Sequence, residues 1–536
     1  MYHSIKSGLS RCWPTCLFFS SLLLIMSKTK DWFKANKYPH IGLPLERSDR
    51  NSVAPFVKNS KAIAEHGFLP LIHRKLKVRR FRREICHDGT RSKLRKLSHK
   101  SRDIFYASHL DSNIYSYYSF ILNKEYEKKL KKRGITDAVT AYRKISLNKA
   151  KKNSRNKCNI DFAKDVFDYI KSQKRDIVAI TFDIKSFFDS LDHKKLKESW
   201  IEVLGLSNKL PEDHYNVFRN LTKFSYVEEF ELFKLYQNKI IVERCSPSNP
   251  EEKVYKQKYV AKRRYLRDDR AVAFCMKDEI HKIRKKGLIK ANKYLCINGE
   301  KKLRTFGIPQ GTPISATAAN FYMMDFDESI TNKVENEFNG IYRRYSDDMI
   351  IICSKKYRDD AVDFIKKEIG KVKLEIQDAK TQVFEFRYHK KQNLHKCFEY
   401  NLLTNKYQTN SKFEYLGFQF DGNRILLKDA SISGYYRKLK RSISRGKFYA
   451  KRSKPATRGE LFKTFLYKRF TVVGSKRRRK YLRDENDPSK FHKTEHYDWG
   501  NFLSYVNLAE KIMPGNGIKE QLKRHWKIFH DYMKPY

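Results

Sequence analysis

Short apolar runs rich in β-branched and aromatic residues mark the predicted strands. The run Ile177 to Phe182 ends at Asp183, and two further runs, Ile341 to Tyr345 and Met349 to Cys353, flank the residues Ser346-Asp347-Asp348. This composition is typical of buried strands, and the short polar interval between the last two runs predicts a hairpin turn. The pattern therefore predicts a sheet that carries Asp183 at one strand end and Asp347 and Asp348 at a hairpin tip.

In much of the remaining chain, apolar residues recur at the spacing that predicts helices. Phe162, Val166, Phe167 and Ile170 recur at helical spacing just before the Asp183 strand. Further helices are predicted over 114–122, 311–324 and 361–369, and over 501–513 and 518–532 near the C-terminus. These elements predict an α+β fold, in which an antiparallel sheet with helices is followed by a basic α-helical region from about residue 426.

The charged segment 205–300 is longer than the spacing of the predicted strands requires. Its scattered Tyr and Phe residues predict a mostly helical insertion. It binds RNA or a partner subunit, or it is a structural elaboration without a ligand. Residues 61–96 are strongly basic with interleaved Phe and Leu, which fits either a surface that follows a nucleic-acid backbone or a solvated helical face.

The charge of the chain narrows the function. Across 536 residues, 114 Lys and Arg stand against 60 Asp and Glu, a formal net charge of +54. Such an excess predicts a polyanionic partner, and nucleic acid is the first candidate. The nine cysteines form no Cys-x-x-Cys pair, so neither a zinc site nor a disulfide framework is predicted; reduced thiols fit a cytoplasmic protein.

Paired carboxylates supply the candidate chemistry. Asp347 and Asp348 are adjacent, and like charges this close raise each other's pKa unless a cation is present. Oxygen ligands suit Mg²⁺, with Mn²⁺ as an alternative. A solvated turn is the competing interpretation, since Asp is common in turns. A purely nucleic-acid-binding protein would explain the charge but not these acids.

Three motifs occur in one order along the chain. They are the Asp183 strand, the loop Gly307-Ile308-Pro309-Gln310-Gly311-Thr312-Pro313, and Tyr345-Ser346-Asp347-Asp348. The set resembles motifs A, B and C of reverse transcriptases. The resemblance implies a right-hand polymerase with fingers, palm and thumb, in which two metal ions drive the addition of dNTPs to a primer end. It covers about residues 95–425 well and the thumb loosely.

The resemblance also implies roles for single residues. Asp183, Asp347 and Asp348 would be catalytic metal ligands, together with the backbone of Ile184. The residues implied to bind the nucleotide are Lys100, Arg102, Arg143, Phe188, Gln310, Gly311 and Lys380. Phe188 would exclude a ribonucleotide 2′-hydroxyl and so favour DNA synthesis. Leu416 and Gly417 would grip the primer.

Smaller features resemble one bacterial group. Group II intron enzymes typically read Pro-Gln-Gly-Gly where this chain has Thr312 in the fourth position, and retron enzymes usually have Ala where it has Ser346. Together with Ala107 to Asp111 and Ala141 to Lys144, these features look like the bacterial "unknown group" of reverse transcriptases, many of which act in antiphage defence. The implied partners are an RNA template, which is a dedicated non-coding RNA in some members, the DNA product, dNTPs, and a second protein subunit or further copies of the chain. A mobile-element reverse transcriptase and a non-catalytic RNA-binding scaffold remain the alternatives.

The N-terminus differs from the rest of the chain. Basic residues precede an apolar run from Cys16 to Met26 that is short for a membrane span. We expect residues 1–25 to be an extension from a misplaced start codon, or else a short anchor, and no membrane partner is expected. The predicted organisation then comprises a basic segment (26–94), fingers and palm (95–425, with the insertion at about 205–300) and a helical thumb (426–536).

Overall fold

The computed structural model describes residues 32–534 with short gaps. The gaps are 86–90, 149, 151–153, 247–252, 298–299, 403, 410, 453–460, 462, 476–478, 484–490, 498–499 and 516. The interpretation of residues 1–25 as an extension or anchor therefore lies outside the described residues. Within the described part of the chain, no helix has both the length and the apolar character needed to span a bilayer.

Strands and helices are interspersed along the described part of the chain. The strands are β1 His40–Ile41, β2 Leu71–Ile85, β3 Arg91–Tyr106, β4 Ile177–Asp183, β5 Ser225–Glu228, β6 Ile240–Cys245, β7 Lys253–Lys258, β8 Ala271–Cys275, β9 Lys290–Ala291, β10 Tyr294–Ile297, β11 Glu300–Leu303, β12 Ile341–Tyr345, β13 Asp348–Ser354, β14 Gln382–His389, β15 Leu394–Asn401, β16 Lys406–Gln408, β17 Phe413–Tyr415, β18 Phe418–Phe420, β19 Ile425–Leu427, β20 Arg479–Arg483 and β21 Phe491–Tyr497. The helices are α1 Arg50–Lys58, α2 Ser60–Ala64, α3 His109–Lys132, α4 Asn159–Ser172, α5 Phe187–Ser190, α6 His193–Leu204, α7 Glu212–Thr222, α8 Glu229–Tyr236, α9 Ile280–Lys285, α10 Ser315–Tyr322, α11 Met324–Asn336, α12 Arg358–Lys371, α13 Asp429–Ala450, α14 Lys463–Phe470, α15 Phe502–Ile512, α16 Gly517–Glu520 and α17 His525–Met533.

A six-stranded antiparallel sheet lies at the centre, in the order β12-β13-β4-β14-β15-β16. Successive side chains of β4 enter two different hydrophobic cores, Val178, Ile180 and Phe182 one of them, Ile177 and Ala179 the other. Both faces of β4 are therefore covered, which explains why its sequence is apolar almost throughout instead of alternating. The strand and hairpin predicted around the three acids are confirmed.

Helices cover the first of these cores. The side chains of α3, α6, α10, α11 and α12 pack with it, among them Leu122, Trp200, Phe321 and Ile365. The predicted apolar run 114–122 and the predicted helix 361–369 lie within α3 and α12. The second core is closed by α4, α15 and the small sheet β17-β18-β19.

Two long strands form a basic ribbon. β2 and β3 pair antiparallel from Ile72↔Tyr106 outward to Ile85↔Arg91, and we call this pair the ribbon. The helical alternative for residues 61–96 is therefore wrong over 71–85 and 91–96, because exposed Lys and Arg of the ribbon lie on paired strands. The expected boundary between residues 94 and 95 falls inside β3, so the ribbon joins the two segments.

The insertion at 205–300 is not mostly helical. It contributes β6, β7 and β8 to a four-stranded sheet completed by β1, and β5 and β9 to the sheet that contains the ribbon. Within it, Ile240, Val242 and Phe274 are buried in a core of their own. β-Branched and aromatic residues at these positions favoured strands that the surrounding charges concealed.

The C-terminal region is mainly helical, as predicted. Helices α13, α14 and α17 share a small core that includes Tyr435, Leu439, Phe470 and Phe529. The strands β20 and β21 form a hairpin in the same region, which the sequence did not predict. Of the basic residues 476–480, those at 476–478 lie outside the described residues.

Candidate active site

The central sheet brings the three acids together. In the pairing of β4 with β13, Asp348 lies directly opposite Asp183. Asp347 occupies the turn before β13, and its carbonyl accepts a hydrogen bond from the backbone N–H of Ile184 at 3.2 Å. Strand register thus fixes residues that are more than 160 positions apart in sequence at one sheet edge.

The hairpin that carries Asp347 is tightly constrained. Tyr345 pairs with Asp348, so Ser346 and Asp347 form a two-residue turn, and Ser346 has a φ of +64°. A two-residue turn between antiparallel strands favours positive φ values. The guanidinium of Arg344 donates to the Ser346 carbonyl at 3.3 Å and holds the turn from below.

Negative charge accumulates at this edge. Burial within the cleft, followed by the charges of Asp347 and Asp183, raises the pKa of Asp348 to about 6. Lys380 opposes this effect; its Nζ lies 2.5 Å from Oδ1 of Asp183. A carboxyl group whose ionisation is disfavoured by neighbouring carboxylates is typical of a site that binds a cation.

These carboxylates fit a divalent metal by their chemistry. They are hard oxygen donors from one sheet edge, as Mg²⁺ prefers. No three His, Cys, Asp or Glu side chains in the described part of the chain converge into a ready-made metal cluster, and Lys380 is paired with Asp183.

Two cavities meet at Asp183 and Lys380. The ribbon-side chamber, of about 820 Å³, is lined by residues that include Lys100, Arg102, Tyr142, Asp183, Ile184, Phe188, Gln310, Ser346 and Asp347. The C-terminal chamber, of about 520 Å³, is lined by residues that include Asp183, Asp348, Tyr415, Leu416, Gly417 and Lys428. The structure thus brings all but two of the predicted site residues, Arg143 and Gly311, to the walls of these chambers.

Gly311 does not line either chamber but shapes the wall. Its φ is +125°, and a Cβ at this position would lie 2.6 Å from the carbonyl oxygen of Phe105 on β3. The preceding residue, Gln310, accepts a hydrogen bond from the Phe105 N–H at 2.9 Å. Only glycine allows the loop to approach the ribbon this closely.

Arg143 is the prediction that the structure contradicts. Its side chain is buried, forms a two-pronged ion pair with Glu127 at 2.7–2.8 Å and donates to the carbonyls of Thr136 and Val139. A guanidinium so fully engaged holds the local backbone and does not reach the ribbon-side chamber. The residue that does reach it is the neighbouring Tyr142.

Tyr142, Tyr415 and Lys428 are among the wall residues that sequence reasoning missed. Tyr142 lies in the motif Ala141 to Lys144, but the motif predicted Arg143 as the nucleotide-binding residue, because a cation suits a triphosphate. Tyr415 and Lys428 reach the C-terminal chamber through the small sheet β17-β18-β19. No local pattern signals Lys428, because its position depends on how these short strands pair.

A family comparison now classifies the domain. Residues 274–420 match the model of the family "Reverse transcriptase (RNA-dependent DNA polymerase)". The chain therefore contains a reverse transcriptase domain, and this domain is an RNA-directed DNA polymerase by class. The match includes Gln310, Asp347, Asp348 and Lys380, whereas Asp183 joins them through the pairing of β4 with β13.

Similar solved structures come from yeast telomerases. Telomerase from Candida albicans in complex with a fragment of telomeric RNA is 12% identical, with a TM-score of 0.33 over 71% of this chain and 49% of that chain. Apo telomerase from Candida tropicalis is 13% identical, with a TM-score of 0.32 over 72% and 54%. The form truncated from the C-terminal domain is 14% identical, with a TM-score of 0.30 over 68% and 61%.

The chain thus spans about half to three-fifths of the length of these telomerases. TM-scores this low do not establish a shared overall fold. No curated protein matches the sequence significantly.

Proposed function

We propose that the chain is a reverse transcriptase that extends a primer with dNTPs on an RNA template by a two-metal mechanism. The carrying observation is the register that sets Asp348 opposite Asp183, with Asp347 at the same edge of the ribbon-side chamber. Three carboxylates at the junction of two chambers that also have basic residues in their walls suit the transfer of a nucleotidyl group from a polyanionic substrate.

Asp183, Asp347 and Asp348, with the backbone of Ile184, would hold two Mg²⁺ ions, and Mn²⁺ is an alternative. When bound, such ions lower the pKa of a primer 3′-hydroxyl and neutralise the leaving pyrophosphate. Lys380 keeps the carboxylate edge partly neutral by its ion pair with Asp183. Displaced by a cation, its ammonium group would lie beside the phosphates of a nucleotide.

The walls of the ribbon-side chamber would select the substrate. Lys100 and Arg102 on β3 present positive charge to a triphosphate, and Gln310 positions the base pair from the loop anchored on Phe105. Phe188 offers a ring without polar atoms where the sugar would lie, so a 2′-hydroxyl would lose its hydrogen bonds to water. This arrangement favours DNA synthesis.

The other chamber would hold the primer. Leu416 and Gly417 have φ values of +44° and +93° and turn the chain between β17 and β18 at its wall. Lys428 adds a positive charge there. In this proposal the central sheet is the palm, the ribbon with the insertion belongs to the fingers, and the helices from α13 onward form the thumb.

We further propose a role in bacterial antiviral defence, with a non-coding RNA as the template, in the cytoplasm. The support is the resemblance of Ala107 to Asp111, of Ala141 to Lys144 and of the Gln310 and Ser346 motifs to defence-associated enzymes. The described thiols of Cys158, Cys275, Cys353 and Cys397 are free, which suits a reducing compartment.

The test begins with the protein purified together with its bound nucleic acid. We would sequence what co-purifies, then add labelled dNTPs and Mg²⁺ to the wild type and to Asp347→Asn/Asp348→Asn. We expect a discrete RNA and DNA synthesis by the wild type alone. Heterogeneous RNA with no metal-dependent synthesis would favour an RNA-binding scaffold. A genomic setting within an intron or retron, with active synthesis, would favour a mobile element over defence.

A further inference from the structure

Tyr142 has a backbone conformation that its side chain disfavours. Its φ is +61°, in the left-handed region, where a Cβ crowds the following carbonyl. Glycine or asparagine usually occupies such positions, and a bulky aromatic residue there is unusual. Strain of this kind persists where the surroundings enforce it, and it concentrates at functional sites.

The surroundings of Tyr142 enforce its conformation from both sides. Thr140 donates from both its N–H and its hydroxyl to the carbonyl of Arg344 at 2.9 Å. These bonds join the segment that carries Tyr142 to the β12–β13 hairpin that carries Asp347. The Ala141 carbonyl accepts from the amide of Asn320 at 3.0 Å. Arg143 is locked by Glu127, as described above. The buried role of Arg143 is therefore to fix the backbone that carries Tyr142.

The consequence is an aromatic ring presented to the cleft. Tyr142 is 53% exposed, yet it lines the ribbon-side chamber, and its hydroxyl accepts a hydrogen bond from Ser346 Oγ at 3.3 Å. Ser346 also has a positive φ, so two strained residues meet beside Asp347. About half of the Tyr142 side chain is exposed, so packing against the rest of the protein does not by itself explain its position.

We propose that Tyr142 is a specificity-determining residue whose ring packs against the base pair formed by the incoming nucleotide and its template base. This inference rests on the proposed polymerase function. The placement supports the nascent pair over the primer end, because Tyr142 shares its chamber with Lys100, Phe188 and Gln310. The C-terminal chamber, with Leu416 and Gly417, has a different lining. Aromatic rings are sequence-tolerant partners for bases, since every base has a π face.

The first experiment separates strain from function with Tyr142→Gly. Glycine adopts positive φ freely, so this variant should melt at or above the wild-type temperature. Loss of the ring should raise the KM for the correct dNTP about tenfold. Misincorporation should rise in parallel, while the affinity for primer and template stays unchanged.

Two variants serve as controls. Tyr142→Phe keeps the ring and loses only the contact with Ser346, so its KM and fidelity should stay close to those of the wild type. Asn339→Gly removes another positive φ, +51°, at an exposed residue outside both chambers, and should leave catalysis unchanged. A Tyr142→Gly variant that loses thermal stability, or that keeps wild-type KM and fidelity, would overturn the proposal.

A second measurement needs no turnover. An RNA template carrying 5-iodouridine at the templating position is irradiated with primer, dATP and Ca²⁺, and the crosslinked peptide is mapped. Crosslinking at Tyr142 supports the proposal, and crosslinking only at other residues contradicts it. An inactive wild-type enzyme in the first experiment would refute the polymerase function itself, which keeps the two failures distinct.

Discussion

In the proposed function, Phe188 is the residue on which the choice between DNA and RNA synthesis would depend. It follows Asp183 by five positions, lies half-buried against Phe187, and its carbonyl accepts from Ile308 at the start of the Gln310 loop. The backbone of Phe188 is therefore fixed to the Gln310 loop, and its ring contacts Phe187. We expect Phe188→Ala to reduce discrimination against ribonucleotides about tenfold or more.

The measurement is the ratio of kcat/KM for a dNTP and the matching rNTP. Phe188→Tyr keeps the ring and should keep most of the discrimination. Unchanged sugar selection in Phe188→Ala would show that another residue excludes the 2′-hydroxyl.

We expect His40 to make the stability of the fold depend on pH. It is fully buried, its Nδ1 accepts from the Ile41 N–H at 2.8 Å, and its Nε2 lies 3.3 Å from the Tyr106 carbonyl, which requires the neutral ring with Nε2 protonated. Burial, followed by the nearby His109, lowers the pKa of His40 to about 4; Asp111 opposes this shift. Tyr38 and Tyr106 pack against the ring and stay neutral.

The direction in which stability changes with pH follows from the pKa of His40 in the folded and in the unfolded chain. The folded pKa lies below the unfolded value of 6.5, so between pH 6.5 and 4 the unfolded chain binds more protons and stability falls as the pH falls. The loss approaches about 3 kcal/mol at pH 4. His40→Gln keeps a donor and an acceptor but cannot titrate, so chemical denaturation should show a flatter pH profile; an equally steep profile would assign the effect to other groups such as His109, whose pKa burial also lowers to about 4.

At the scale of elements, the β12–β13 hairpin that carries Asp347 depends on a buried ion pair. The Arg344 guanidinium on β12 binds both carboxylate oxygens of Asp327 on α11 at 2.6–2.7 Å, and both side chains have no exposed surface. Tyr342 donates to the same carboxylate at 3.0 Å. The pair fastens β12, and through it the Ser346 turn, to the helix behind the sheet.

We expect Asp327→Asn to leave a buried charge uncompensated and to cost about 3–5 kcal/mol of unfolding free energy. The measurement is urea denaturation of the metal-free protein. Replacing both partners, as Asp327→Leu/Arg344→Met, should recover much of that stability, because a buried pair is often no more stabilising than apolar residues of similar size. Activity should not recover with it, since the Ser346 turn loses the Arg344 contact; a fully active double variant would contradict this role.

The same elements show what the sequence could predict. The pairing of Asp183 with the Asp347 hairpin was predictable because apolar strands and a two-residue turn are local patterns, and the motif order supplied the long-range contact. The ribbon was hidden because Lys and Arg interrupt its apolar positions. The insertion strands were hidden because charged residues surround the apolar residues that pack in their core. For a similar reason, the sequence predicted Arg143 in the chamber wall where the structure has Tyr142. The direction of Tyr142 depends on its positive φ value and that of Arg143 on its pairing with Glu127, and neither has a local signature in the sequence.

At the scale of the whole molecule, charge is spread over every region, as the net +54 suggests. Affinity for RNA should therefore fall steeply with salt, with a slope of log K against log salt of about −0.7 for each phosphate contacted on a single strand. The insertion carries exposed Lys256 on β7 and exposed Lys262 and Arg267 in the segment between β7 and β8. If the insertion contacts RNA, changing these three residues to alanine should make the slope shallower by about 2.

A matched variant separates local contact from net charge. Lys128, Lys164 and Lys333 each pair with a carboxylate on their own helix or at its end, namely Glu125, Asp168 and Glu337. Changing these three to alanine lowers the formal charge by the same amount but removes cations that are already neutralised. Fluorescence anisotropy across a salt series should then show a shallower slope only for the insertion variant. Equal changes in both slopes would mean that RNA senses the overall field of the molecule, and the sheet of β6, β7 and β8 would then be a structural elaboration. A shallower slope for the insertion variant alone would make that sheet an RNA contact, and the fingers of this polymerase would extend beyond the ribbon.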